Sequence, residues 1–235
     1  IQAYAGADFV NMYEGARAVI EGDLGRLVDF ARYNAALVRD FGPIPFHSWS
    51  YPPHMLLLVA PFGLLPYGAA FALWQGLTFA LLLWSVWPPR EAGAAAREKL
   101  CVGAAIAFAP AVLLNLACGQ NGFLGAALFI GGFRLAGSRP LLAGALFGVL
   151  TVKPQFGVAV PLALAMLGAW RTIAAAAATA IGMAALSVLC FGVDPWIDFI
   201  GATMPHQMRL VASMDGFYAL MMPTPVAALR LAGLA

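Results

Sequence analysis

Charge is what this chain of 235 residues has least of. Asp, Glu, Lys and Arg make up 10%, against 62% hydrophobic residues, and 25 glycines come on top of those. A soluble domain carries about 25% charged residues, because charge coats a water-facing surface. The shortage excludes a soluble globule and a disordered chain. A net charge of +2 excludes the basic footprint of a nucleic-acid binder. Cysteine is also scarce. Cys101, Cys118 and Cys190 are an odd three with no C-x-x-C spacing, which excludes a disulfide-stapled scaffold. In their apolar runs they read as small packing residues. Histidine is limited to His47, His54 and His206, with no pair at i,i+3 or i,i+4, so no metal site is expected. No P-loop, G-x-G-x-x-G, G-x-S-x-G or H-E-x-x-H occurs, and a cytosolic nucleotide-sugar or ATP enzyme is not supported. What remains is an integral membrane protein.

The few charges are segregated. Ten of the 24 lie between Asp8 and Asp40, and none lies between Asp40 and Arg90. Residues 8–21 place Phe9, Met12, Tyr13, Ala16, Val19 and Ile20 on one side and Asn11, Glu14, Arg17 and Glu21 opposite. That spacing predicts an amphipathic helix lying in the membrane interface. Residues 22–46 read as a polar excursion ending in Gly42-Pro43-Ile44-Pro45. Residues 67–87, 100–117 and 172–190 are long enough, or nearly so, to cross about 30 Å of hydrocarbon. Residues 121–133, 140–152 and 156–170 are shorter, and residues 55–65 read as a re-entrant or partly buried piece closed by Pro66. The fold expected is all-α and polytopic, with short or broken membrane helices. It forms one domain over 1–235, with an extracytoplasmic loop at 8–46, membrane helices over 55–190 and an extracytoplasmic segment at 191–218. The chain begins at Ile1 with no cleavable signal and stops inside an apolar stretch. A piece of a longer polytopic protein is therefore expected.

Orientation follows from basic residues in short loops. Strict alternation puts Arg90, Arg97, Lys99, Arg134, Arg139 and Arg171 inside. The Gly119-Gln120 turn and Lys153-Pro154-Gln155 then fall outside, at one face with Asp8 and Tyr51-Pro52-Pro53-His54. Helices too short to span would leave Gln120, Asn121 and Lys153 recessed, where polar groups suggest a binding site. Lys153 is the one charge between Arg139 and Arg171. It reads as an ammonium binding a lipid phosphate or as a snorkelling anchor at a helix end. Asp8 reads as a helix N-cap or a general base. Gln120 and Asn121 suit sugar hydroxyls or cap a turn. His206 could face a phosphate or carry a proton, or simply sit at the interface. Tyr51-Pro52-Pro53 reads as scaffold, and Asp194 and Asp198 as an interfacial helix start anchored by Trp196.

Taken in order, several motifs resemble glycosyltransferase family 87, formerly a domain of unknown function, in the C-type (GT-C) superfamily. They are Asp8-Phe9 with Tyr13 and Ala16, Tyr51-Pro52-Pro53, Asn115 with Gly119-Gln120-Asn121, Leu142-Ala143-Gly144, and Lys153-Pro154-Gln155. The similarity runs over residues 7–199. It implies a GT-C-like multi-pass enzyme of a bacterial-type inner membrane with its active site facing outside. The donor implied is a polyprenyl-phosphate sugar, typically mannose, and the acceptor a lipid or glycan. Asp8 would be the base, Lys153 with His206 would hold the leaving phosphate, and Gln120, Asn121 and Gln155 would orient sugar hydroxyls. Neither metal nor cofactor is expected, since the leaving group is already activated. A transporter or lipid flippase is the alternative, although no internal repeat supports the matched halves it would need. A non-catalytic membrane subunit is another.

Overall fold

The computed structural model describes residues 6, 8–44, 46–87, 96–213, 228–229 and 232–233. Arg90 of the expected inner loop, the end of the 191–218 segment and most of the apolar C-terminal stretch lie outside the described residues. Every regular element among those described is helical.

Helix α1 is Phe9–Ile20. Its apolar face of Phe9, Met12, Tyr13 and Ala16 is buried, with the Phe9 ring 5.7 Å from the rings of both Tyr67 and Phe71. The polar face is covered as well. Glu14 is only 1% exposed, because the 3₁₀ turn Leu24–Leu27 brings Arg26 Nε to 3.0 Å from its carboxylate. Arg26 also pairs with Glu21, which in turn pairs with Arg17. Within the expected polar excursion lies a second helix, α2 (Phe30–Phe41). Asp29 caps it by accepting from the Arg32 amide at 3.1 Å, an arrangement Asp favours. It buries Tyr33, Ala36, Leu37 and Phe41 and keeps Arg32 and Arg39 outside.

Burial pushes the Glu14 carboxyl up from its ordinary 4.5 to about 7, against the opposing pull of Arg26. Between those values the folded chain holds a proton that the unfolded chain releases. Stability therefore falls as pH rises through that window, by about 3 kcal/mol. Melting temperature in detergent is expected to drop from pH 5 to pH 8, and Glu14→Gln to flatten that slope. An unchanged slope in the variant would assign the effect to another group.

A short helix, α3 (Met55–Val59), and the 3₁₀ turn Ala60–Leu64 lead to α4 (Tyr67–Val86). The single span expected over 100–117 is broken into α5 (Ala96–Phe108) and α6 (Pro110–Cys118), bent by 46°. Pro110 has no amide hydrogen for a continuous helix and its ring clashes with the preceding turn. Then follow α7 (Gly122–Ala136), α8 (Pro140–Val149, extended by a 3₁₀ turn to Val152), α9 (Phe156–Met166) and α10 (Trp170–Phe191). Helix α11 (Asp194–Asp198), a π-helical turn at Phe199–Thr203 and α12 (Met204–Ser213) complete the described chain. Helices α4 and α10 are each long and apolar enough to cross a membrane, and the bent α5–α6 pair makes a third if counted as one span. The chain is an all-α polytopic membrane protein.

Side-chain contacts give each helix its direction. The Phe79 ring lies 5.1 Å from that of Phe123, tilted by 51°, while Trp84 and Ser85 face Gly131, so α4 and α7 run parallel. Arg134 of α7 donates to the carbonyls of Trp84, Ser85 and Trp87 at 3.0, 3.0 and 2.7 Å. Those are the carbonyls a helix C-terminus leaves unpaired. Helix α8 returns antiparallel to α7, its Phe147 at Gly132 and the following Lys153 at Gly125. Helix α10 lies parallel to α8. Gly144 faces Thr172 and Ala175, and Gly148 faces Ala176 and Thr179. A Cβ at either glycine would stand 2.6 Å from the Thr172 carbonyl or 2.8 Å from that of Ala176. This is the close approach a G-x-x-x-G face allows. Asp8, Gln120 and Lys153 thus share one end of the bundle, and Arg134, Arg139 and Arg171 the other.

The cysteines do not pack inside as expected. Cys101 and Cys190 are exposed and Cys118 is half-buried, all three as free thiols. Their apolar runs face outward from a small bundle, where lipid replaces protein.

Candidate functional site

Helix α6 is closed by the C-cap Gly119, whose φ of +72° is left-handed and suits a residue without Cβ. The turn that follows is held by buried amides. The Asn115 carbonyl accepts from the amides of Gly119 and Gln120 at 2.8 and 3.2 Å and from Gln75 Nε2 at 2.9 Å. Asn115 Nδ2 donates to the Gln120 carbonyl at 3.1 Å and to Gln75 Oε1 at 3.3 Å. Asn115 and Gln75 are each about 5% exposed, so breaking this set would strand polar groups away from water.

The chain just before α1 runs against this turn. The Gly6 and Asp8 amides donate to the carbonyls of Ala117 and Cys118 at 3.0 and 2.8 Å, and Tyr67 Oη donates to the Gly6 carbonyl at 2.9 Å. Asp8 therefore meets Gln120, 112 positions away, and its Oδ2 accepts from Gln120 Nε2 at 2.8 Å. Its side chain makes no N-cap hydrogen bond to α1. The capping expectation is not what the carboxylate does. It is turned to the opposite turn instead.

A third segment completes the wall. Asn34 of α2 grips the backbone of His47 with both ends of its amide, Oδ1 accepting from the His47 amide at 2.9 Å and Nδ2 donating to its carbonyl at 2.7 Å. Asn11 Nδ2 donates to the Ser48 carbonyl at 3.2 Å, and Tyr33 Oη donates to Asn11. The run 46–51 is thereby fixed with Tyr51 facing α7, where its hydroxyl accepts from Asn121 Nδ2 at 3.1 Å. Burial, and after it the charge of Asp8, push the Tyr51 phenol up to about 12, so it keeps its proton. The result is a half-open cavity of about 180 Å³ lined by Asp8, Asn11, Met12, His47, Tyr51, Gln120 and Asn121. Pockets that enclose a whole drug-sized ligand run to roughly 300–1,000 Å³, so this one suits a single polar group of a larger substrate. Chemically it offers one carboxylate beside three side-chain amides, one phenol hydroxyl and one imidazole.

Of the residues expected from sequence, Asp8, Gln120 and Asn121 are brought together. Lys153 shares their end of the bundle but does not line the cavity. Its ammonium lies over Gly125, one turn into α7 from Asn121, 3.0 Å from where a Cβ would stand. Gln155 is exposed ahead of α9 and makes no cap there. His206 stacks on Phe30 at 3.9 Å between ring centres, with its Nε2 buried and unpartnered. His54 meets the 3₁₀ turn that precedes Lys153, its Nε2 3.2 Å from Thr151 Oγ1 and its ring stacked on Trp196. Sequence reasoning missed His47 and Asn11 as cavity residues and took Tyr51 for scaffold. The Asn34 clamp and the helix carrying it were not visible locally.

Comparison with known proteins adds one finding. The family description glycosyltransferase family 87 matches residues 49–235, a stretch that holds Tyr51, Gln120, Asn121 and Lys153 and begins beyond Asp8. No curated protein and no solved structure matches the chain.

Proposed function

The chain belongs to glycosyltransferase family 87, a membrane glycosyltransferase, and on that premise we propose that its sugar donor is a polyprenyl-phosphate hexose, with mannose the first candidate. The acceptor is a lipid or glycan hydroxyl, and the reaction runs on the extracytoplasmic side of a bacterial-type inner membrane. The observation that carries this reading is the hydrogen bond between Asp8 and Gln120 in a polar cavity at one end of an apolar bundle.

In the proposed step Asp8 takes the proton of the acceptor hydroxyl. The freed oxygen attacks the anomeric carbon from the face opposite the phosphate, and the bond from that carbon to the phosphate oxygen breaks. The configuration inverts, and the lipid phosphate leaves carrying the negative charge. Gln120 keeps the carboxylate aimed through its Nε2 and has its side-chain oxygen left for the substrate. Asn121 and Tyr51 offer further groups for sugar hydroxyls. Lys153, one helical turn away, neutralises the developing charge on the leaving phosphate. Gln155 and His206 stand outside the cavity and take no part in this account.

Membranes carrying the protein, incubated with radiolabelled polyprenyl-phosphate mannose, are expected to form a labelled lipid or glycan product with inverted anomeric configuration. Lys153→Ala is expected to lower that transfer by on the order of a hundredfold, as loss of one preorganised charge-stabilising group does. Label that crosses the membrane without forming a covalent product would overturn the reading in favour of translocation.

A further inference from the structure

At the end of the bundle opposite Asp8, a groove of about 780 Å³ lies between α8 and α10. Leu141, Leu142, Ala174 and Ala178 line its apolar wall, and Arg139 and Arg171 line the same groove. Arg139 immediately precedes α8 and Arg171 is the second residue of α10. Because the two helices run parallel, both guanidinium groups fall at one end of the groove. Both are exposed, and neither side chain has a hydrogen-bond or ion-pair partner among the described residues. No Asp or Glu occurs anywhere between Glu98 and Asp194, so helices α6 to α10 supply no carboxylate to meet them. Leu141 is 71% exposed and Trp170, beside Arg171, is 66% exposed, which marks this end as facing lipid near an interface, where Trp concentrates.

We infer that this groove binds one anionic phospholipid, its phosphate between Arg139 and Arg171 and an acyl chain lying along α8 and α10. A guanidinium offers a planar fork of donors that fits phosphate oxygens on two sides at once, and basic pockets between membrane helices take acidic head groups. The apolar wall continues from the charged end along the helices, as head group followed by chain requires. Small residues Ala174 and Ala178 leave its depth. An arginine pair acting only to set membrane orientation would need no such wall. This site lies away from the Asp8 cavity, and its occupancy does not depend on the reaction proposed for that cavity.

Native mass spectrometry of the purified protein tests it, titrating phosphatidylglycerol and phosphatidylcholine of matched chains, with soluble glycerol 3-phosphate as a third arm. Phosphatidylglycerol is expected to bind saturably and at least tenfold more tightly than phosphatidylcholine. Arg139→Gln with Arg171→Gln should weaken phosphatidylglycerol by on the order of thirtyfold, about fivefold per charge, and weaken phosphatidylcholine, whose phosphate charge is offset by its own choline ammonium, by less. Arg32→Gln, a surface change beside Asp23, should alter neither. Both arginines are exposed, so the double variant is expected to keep its melting temperature. Equal binding of the two lipids would overturn the inference, as would undiminished phosphatidylglycerol binding in the double variant. Competition by glycerol 3-phosphate at the concentrations where the lipid binds would reassign the site to free phosphate and overturn the lipid.

Discussion

Asp8→Asn is expected to cut sugar transfer by about 10²–10⁴-fold, the usual worth of a positioned general base. The substitution removes the proposed proton acceptor and little else. An Asn carbonyl at the same place still accepts from Gln120 Nε2, and the backbone bond from residue 8 to the Cys118 carbonyl is untouched. Melting temperature and helical content should stay within error, which separates a chemical role from a structural one. Asp8→Glu pushes the carboxylate one methylene farther into a cavity of about 180 Å³ and is expected to recover only part of the rate. Near-full transfer in Asp8→Asn would remove Asp8 as the base.

Gly119→Ala should damage fold and site together. At φ of +72° a side chain costs about 1–3 kcal/mol in backbone strain alone. The new Cβ would also stand 2.8 Å from the Cα of Gly6 and from the Phe71 ring, and 2.9 Å from Phe9 Cβ. The Gly6 contact is backbone and cannot rotate away, so overpacking adds about 1–3 kcal/mol. Relief comes by pushing the segment before α1 off the turn, which separates Asp8 from Gln120. Gly168→Ala provides the comparison. Its φ is +65°, yet nothing lies within 4 Å of the added atom, so it carries only the strain. Gly119→Ala is expected to lower both melting temperature and transfer, and Gly168→Ala to lower melting temperature less and leave transfer intact. Equal losses in the two variants would mean that the packing of residues 6–9 on Gly119 contributes nothing.

The helices of the bundle were legible because apolar runs and their breaks are local signals. Residues 67–87 and 172–190 come close to the bounds of α4 and α10. The break at Pro110 was written in the sequence as well, inside a run whose unbroken hydropathy hid it. Helix α2 escaped because Arg32, Arg39 and Asp40 lie on its exposed side and dilute the apolar repeat of Tyr33, Leu37 and Phe41. At the site, Asp8, Gln120 and Asn121 could be assigned to one face from the alternation of spans. Their mutual geometry could not, because it depends on Gly119 admitting the segment before α1. His47 reaches the cavity through an amide clamp from Asn34, thirteen positions back, and no period or motif marks such a pair. Glu14 shows the same limit. Its place on the polar stripe of α1 says nothing of burial, and only the turn carrying Arg26 reveals it.

The separation of Asp8 from Gln120 by 112 positions also has a meaning in time. A ribosome adding roughly 5–20 residues per second makes Gln120 about 6–22 s after Asp8. Throughout that interval α1 exists without the turn that aims its carboxylate, and α4 and α6 must be in place before the two can meet. The enzyme therefore cannot be assembled piecemeal from its N-terminus. The Asp8–Gln120 pair arises late, when a segment made early meets a turn newly delivered to the same end of the bundle, and a nascent chain stalled before α6 would hold Asp8, Asn11, Met12, His47 and Tyr51 with neither Gln120 nor Asn121 to meet them.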